Sequence, residues 1–194
     1  KIPDGVYHGE DGLDADGVDD SREYRLRMKL TKYGDKLEFD FSGTSPQARA
    51  SINCGPLDVK AGIGVALKML IEHETPLSSG CFRDIDIVTP PGTFCSATPP
   101  LGPIFMYWEP SFTVLSAIYR ALADALGEDA IGPDFGSMMV HNGTGLRKDG
   151  TPWISVATCG GEHGPWSATK VGDGDSYTVN HTGNNLDPAI EAIE

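Results

Sequence analysis

Apolar and polar positions alternate strictly over REYRLRMKL at 22–30, with Tyr24, Leu26, Met28 and Leu30 on one side and Arg25, Arg27 and Lys29 on the other. Successive side chains of an extended backbone face opposite ways, so this run predicts a half-buried strand. KLEFDF at 36–41 alternates again through Leu37, Phe39 and Phe41, and the turn text KYGD joins both runs into a β-hairpin. The period then changes. Ile63, Ala66, Leu67, Leu70 and Ile71 form one stripe at helical spacing, which predicts a helix over about 58–72 with Asp58 as its N-cap. Gly62 and Gly64 inside it each cost about 1 kcal/mol relative to alanine, so close packing against backbone is expected there.

DIDIV at 84–88 reads as a short strand leading into a proline-rich stretch that ends at Pro103. A second helix is expected over 111–126, capped by Ser111, striped by Val114, Leu115, Ile118, Leu122 and Leu126, and stopped by Gly127. Beyond it, short strands at 136–141, 153–159 and 175–181 alternate with glycine-rich turns. The pattern predicts an α+β fold, mixed and strand-rich, with β-hairpins and two main helices at about 58–72 and 111–126. No repeat and no internal boundary divides residues 1–194.

Composition narrows the function classes. At 39% hydrophobic, 194 residues suffice for a packed core. A net charge of −13 argues against nucleic acid as a partner, because little basic surface is available to release counterions from phosphates. No apolar run approaches the roughly 20 residues of a membrane span, and no charged start precedes an apolar stretch as in a signal peptide. The four cysteines at 54, 81, 95 and 159 form no CxxC, which favours reduced thiols and a cytoplasmic setting. Cys81 and Cys95 flank a strand and are expected in the core. The chain opens on Lys1 and stops within an element, as a fragment of a longer protein would.

Four stretches suggest chemistry. DGLDADGVDDSRE at 11–23 fits an EF-hand loop at Asp14, Asp16, Gly17 and Glu23, but Gly12 stands where the first ligand belongs and a strand follows in place of a helix. A solvated acidic turn accounts for it better. In TCGGEHGPW at 158–166, Gly160, Gly161 and Gly164 would let backbone amides approach a ligand, beside Glu162 and His163 as acid, base or orienting groups. The plainer alternative is a tight turn with a satisfied histidine. His141-Asn142-Gly143 reads as a turn at the end of an apolar strand, with His141 a further acid–base candidate. Ser42 in FSGTS lacks the strand–turn–helix setting of a nucleophile elbow, and no His, Cys or Asp set has metal-ligand spacing.

IPDGVYHGEDGLDADG, EFDFSGTSPQARASIN, SSGCFRDIDIVTPPGT, CGGEHG and the final AIE occur in an order that resembles the hydantoinase B/oxoprolinase family over nearly the whole chain. Asp40-Phe41-Ser42-Gly43-Thr44-Ser45 followed by Ile52-Asn53 is its most specific part. The family includes N-methylhydantoinase B subunits, part of 5-oxoprolinase, and subunits of acetone and acetophenone carboxylases. The resemblance implies a central segment of a larger subunit working with a hydantoinase A-like ATPase subunit. ATP on that partner would phosphorylate a carbonyl-derived oxygen, and the B-type subunit would receive the activated cyclic amide for hydrolysis. In the carboxylases an enol phosphate of a ketone reacts with carbonate-derived CO2. A non-catalytic scaffold is the third reading. A divalent metal is implied outside this segment, with no ligand within it. GPIFMYWEPS at 102–111 departs from the family's usual phrase, and Phe105, Tyr107 and Trp108 could line a pocket for an apolar ring or ketone, or serve as core or interface.

Overall fold

A computed structural model describes residues 2–71, 74–104, 108–133 and 139–159, with backbone alone for 108–109, 139–142 and 155–159. A four-stranded sheet runs in the order β1 (Gly5–Leu13), β2 (Tyr24–Tyr33), β3 (Lys36–Asp40) and β4 (Ile85–Val88). The first three strands are antiparallel; β4 joins β3 in parallel after a crossover that contains α1 (Pro56–Leu70). α2 (Trp108–Leu126) packs on β1, β2 and α1, and a separate two-stranded ribbon pairs β5 (Met139–Leu146) with β6 (Pro152–Cys159). The α+β expectation holds.

The alternation at 22–30 does what it predicts. Tyr24, Leu26, Met28 and Leu30 are buried beneath the helices, joined by Phe39 and Phe41 from the next strand, while Arg25 and Arg27 face outward. Val59, Ile63 and Ala66 of α1 and Val114, Ile118 and Leu122 of α2 complete one core. Each buried Val, Leu, Ile, Met or Phe among them contributes roughly 1.5–3 kcal/mol by leaving water. Gly34, at φ 57°, makes the hairpin turn.

Both helices begin earlier than expected. Gly55 caps α1, Pro56 occupies its first turn, and Asp58 lies three residues in, where its carboxylate accepts the Gly55 N–H at 2.8 Å. Proline suits that position because a first-turn N–H has no intrahelical acceptor. The same tolerance admits Pro110 in the first turn of α2, so Ser111 is inside the helix and not its cap. Close packing against backbone is present at Gly62, whereas Gly64 packs against side chains. A Cβ on Gly62 would lie 3.1 Å from Ser111 O of α2, and one on Gly64 would lie 2.8 Å from the Phe82 ring.

β1 is the element the hydrophobic pattern did not announce. Its glycines and acids dilute the period-two signal, yet all nine residues pair with β2. Gly9 is required by packing: a Cβ there would sit 1.9 Å from Ala117 O of α2. His141-Asn142-Gly143 is likewise not a turn. It lies inside β5, opposite Ala157, Val156 and Ser155, and the chain reverses at 147–151 with Gly150 at φ 82°. The expected strand at 175–181 falls outside the described residues.

Candidate functional site

The acidic loop is built around its own carboxylate. Asp16 Oδ1 accepts the N–H groups of Val18 and Asp19, each at 2.9 Å, and Oδ2 accepts the Tyr24 hydroxyl at 3.0 Å. Those backbone hydrogen bonds, Asp19 first and Val18 next, hold the Asp16 carboxyl down at about 2. Asp16 is thereby committed to shaping the turn, and it does so buried, where the sequence reading expected a solvated residue. Among the described residues, no group of three His, Cys, Asp or Glu side chains is placed to hold a metal ion.

The sheet has one face under the helices and one open. On the open side, register sets Glu10 opposite Arg27, and both His8 and Asp40 opposite Lys29. Arg27 Nε donates to Glu10 at 3.1 Å, and Lys29 Nζ lies 3.4 Å from Asp40 Oδ2. Ser42's hydroxyl and N–H hold the Asp40 carboxyl below its ordinary range, with Lys29 adding to the effect. A shallow depression of about 410 Å³ lies over these residues. Exposed pairs of this kind are worth at most about 1 kcal/mol each, so they add little to stability. Alternation at 22–30 signalled its cations; its acids and His8 came from strands or registers that the pattern did not reveal.

The most specific family phrase supplies mainly architecture. Phe41 N–H donates to Val88 O, Thr44 Oγ1 accepts the Arg27 N–H, and Ser45 Oγ accepts the Arg25 N–H. Ser42 N–H donates to Asp40 Oδ1 at the end of β3, with no helix following, so no nucleophile elbow exists there. Asn53, fully buried, accepts the Ala48 N–H at 2.7 Å and donates to the carbonyls of Ala48, Ala50 and Pro103 at 3.1, 2.8 and 2.9 Å. It pins the 44–55 segment to the proline-rich loop. A single buried Asn among small residues is the signal that marks such a hub.

A second concavity, about 340 Å³, lies between α1 and the β3–β4 edge, walled by Leu37, Leu67, Leu77, Phe82 and Ile85. Cys81 stands exposed beside it, contrary to the core placement expected from its position near a strand. It belongs to a 3-10 turn, Ser79–Phe82, whose short reversal turns the thiol outward. Hydrogen bonds from the Ser78 backbone and hydroxyl lower its pKa. Cys95 is buried as expected.

Of the sequence-derived site residues, Gly160, Gly161, Glu162, His163, Gly164 and Tyr107 lie outside the described residues. Trp108 opens α2. His141 occupies β5, in register opposite Ala157 of β6. Since Cys159 is the last residue of β6, the chain enters Gly160 from the end of the ribbon that carries His141.

A two-layer α+β unit with a polar open sheet face and a histidine-bearing ribbon is the class that these features define. The family model for hydantoinase B/oxoprolinase matches residues 1–194, and the chain belongs to that family. It is 28% identical over 204 residues to the B-type subunit of a putative D-/L-hydantoinase from a Pseudomonas species, covering 100% of this chain and 33% of that one. It is 24% identical over 192 residues to the acetophenone carboxylase delta subunit of Aromatoleum aromaticum, covering 99% of this chain and 26% of that one. The chain thus spans no more than about a third of either relative. The fold is shared with an ATP-dependent caprolactamase from Pseudomonas jessenii, at TM-score 0.65 and 21% identity over 82% of this chain and 28% of that one. It is also shared with an acetone carboxylase described by its ATP-dependent mechanism, at TM-score 0.71 and 14% identity over 92% and 27%. Among the described residues no helix is long and apolar enough to cross a membrane.

Proposed function

We propose that this chain is the central part of a B-type subunit in an ATP-dependent enzyme that hydrolyses a cyclic amide. The observation that carries the reading is the family match along all 194 residues, supported by similarity along this whole chain to a third of the B-type hydantoinase subunit. A hydantoinase A-like ATPase subunit transfers the γ-phosphoryl group of ATP to the amide oxygen. That oxygen is then a competent leaving group, and water attacks the activated carbon; the net products are the ring-opened amino acid, ADP and phosphate. A divalent metal, if used, is held outside this segment.

Within this reading, His141, Glu162 and His163 move protons for the attacking water and the departing nitrogen. Gly160, Gly161 and Gly164 offer backbone amides to the substrate, and Tyr107 and Trp108 form an apolar wall. The ribbon supports this grouping, because β5 carries His141 and β6 ends next to Gly160. Replacing His163 or Glu162 with alanine in the full-length complex is expected to lower turnover by about 10²-fold or more while assembly persists. Intact turnover in both variants would leave the loop a structural turn.

A ketone carboxylase is the second reading, favoured by the match to the acetophenone carboxylase delta subunit over 99% of the chain. Phosphate release from ATP, measured with hydantoin, 5-oxoproline or caprolactam against acetone or acetophenone plus bicarbonate, separates the two. Stimulation by a cyclic amide alone supports hydrolysis, and stimulation that needs bicarbonate supports carboxylation. ATP turnover unmoved by every compound supports the scaffold reading instead.

A further inference from the structure

The cavity between α1 and the β3–β4 edge is lined by residues that take no part in the proposed chemistry. Leu37, Leu67, Ile71, Leu77, Phe82 and Ile85 give it apolar walls around about 340 Å³. Ligand pockets are mostly apolar with a few placed polar groups, and this volume suits a small ligand. Gly64 shapes the wall. A Cβ there would lie 2.8 Å from the Phe82 ring and 3.2 Å from Leu77 Cδ2, so the missing side chain lets both residues lean onto α1. Three charged residues also line the cavity: Asp35, Lys68 and Asp84. Strand pairing brings the two acids to one end of the sheet, since Leu37 pairs with Ile85 and its N–H donates to the Asp84 carbonyl at 3.0 Å. Both are exposed, and among the described residues neither carboxylate accepts a hydrogen bond or forms an ion pair. The Lys68 ammonium, by contrast, donates to the Thr75 carbonyl. Lys60 Nζ lies 4.6 Å from the centroid of the Phe82 ring but does not line the cavity. The charge left without a partner among the lining residues is negative.

We propose that this cavity binds a small amphipathic monocation, a primary alkylammonium whose apolar tail enters between Leu67, Leu77 and Phe82 while its ammonium group stays at the rim beside Asp35 and Asp84. Burial of the tail supplies most of the affinity, and the two carboxylates set the sign of the head group. An anion of the same length would meet two unpaired carboxylates and a lysine already engaged. A neutral alcohol would gain tail burial alone. Exposed carboxylates contribute modestly and are screened by salt, so the preference for a cation falls as ionic strength rises.

The test uses the full-length subunit in its complex, with Cys81 as the reporter because it is exposed and lines the cavity. Iodoacetamide labelling of Cys81, read by peptide mass mapping, is followed in low-salt buffer at one pH with increasing n-hexylammonium, n-hexanol or hexanoate. Hexylammonium is expected to slow labelling several-fold, with a midpoint below those of hexanol and hexanoate. That midpoint should rise by up to about fourfold for each methylene removed from the tail. Asp35→Asn combined with Asp84→Asn, both at exposed positions, should raise the hexylammonium midpoint roughly fivefold and leave that of hexanol in place. Labelling unmoved by hexylammonium overturns the proposal, as does protection by hexanol or hexanoate at equal or lower concentration. A double variant that binds hexylammonium as well as the unsubstituted protein does also.

Discussion

The helix-backed sheet and the β5–β6 ribbon are stabilised in different ways. In the sheet, Leu26, Leu30, Phe39, Ile63 and Ile118 have no solvent exposure, so apolar burial dominates. In the ribbon, Leu146 and Ile154 are each 72% exposed. Trp153 lies over Gly143 and Gly145 of the opposite strand, where added Cβ atoms would meet its indole at 3.3 and 2.8 Å. A two-stranded ribbon by itself is marginally stable; under the proposed function, it carries His141 and ends beside Gly160. Packing sets the frame, and the proposed chemistry lies on the loosely buried element.

The sharpest way to break this contrast is to empty the core. Phe39→Ala should cost about 3–5 kcal/mol in urea unfolding, whereas Ile154→Ala should stay within about 0.5 kcal/mol. Comparable losses at both positions would mean that the ribbon is as firmly packed as the sheet. Asn53→Ala is expected to cost about 1–3 kcal/mol, because the buried Ala48 N–H and carbonyl and the partly buried carbonyl contacts at Ala50 and Pro103 lose their partner. Gly9→Ala should cost about 1–3 kcal/mol by forcing β1 away from Ala117 of α2; an unchanged unfolding midpoint would show that this seam yields freely.

Acid unfolding gives the smallest and most selective readout. Asp16 is lowered from an ordinary 3.8 to about 2 in the fold, so its contribution is present above about pH 4 and lost as pH falls towards 2. Asp16→Asn should flatten stability over that window. Asp11 has the opposite sign. Desolvation raises its carboxyl above 3.8, against weaker opposition from the Gly12 N–H, Arg120 and Ser116. Its contribution is full below the unfolded pKa and disappears as pH rises through the folded value, so Asp11→Asn should preserve or raise the urea midpoint at pH 7. A lower midpoint would mean that the 3.8 Å contact with Arg120 outweighs desolvation.

Much of the layer was legible because burial acts on one side of each element. The alternation of Tyr24 to Leu30 and the stripe from Val114 to Leu122 are records of that one-sidedness. The candidate site was less legible. Glycine, histidine and glutamate in CGGEHG suit either a ligand loop or a tight turn, and residue type alone does not distinguish them. The polar face was hidden for another reason: Glu10, Arg27 and Asp40 come from three strands and meet only through register.

The sequence by itself determined the family, the β2–β3 hairpin, the two helices and the buried faces, since these depend on local period and residue order. Only the tertiary structure decided that the glycine-rich start is a strand, that Asp16 is consumed by its own turn, and that the Cys54 backbone is tied to Phe94 and Ala97. Each of those outcomes rests on contacts between distant segments, or on which of several acceptors an N–H finds. Neither is written in the spacing of residues along one stretch of chain.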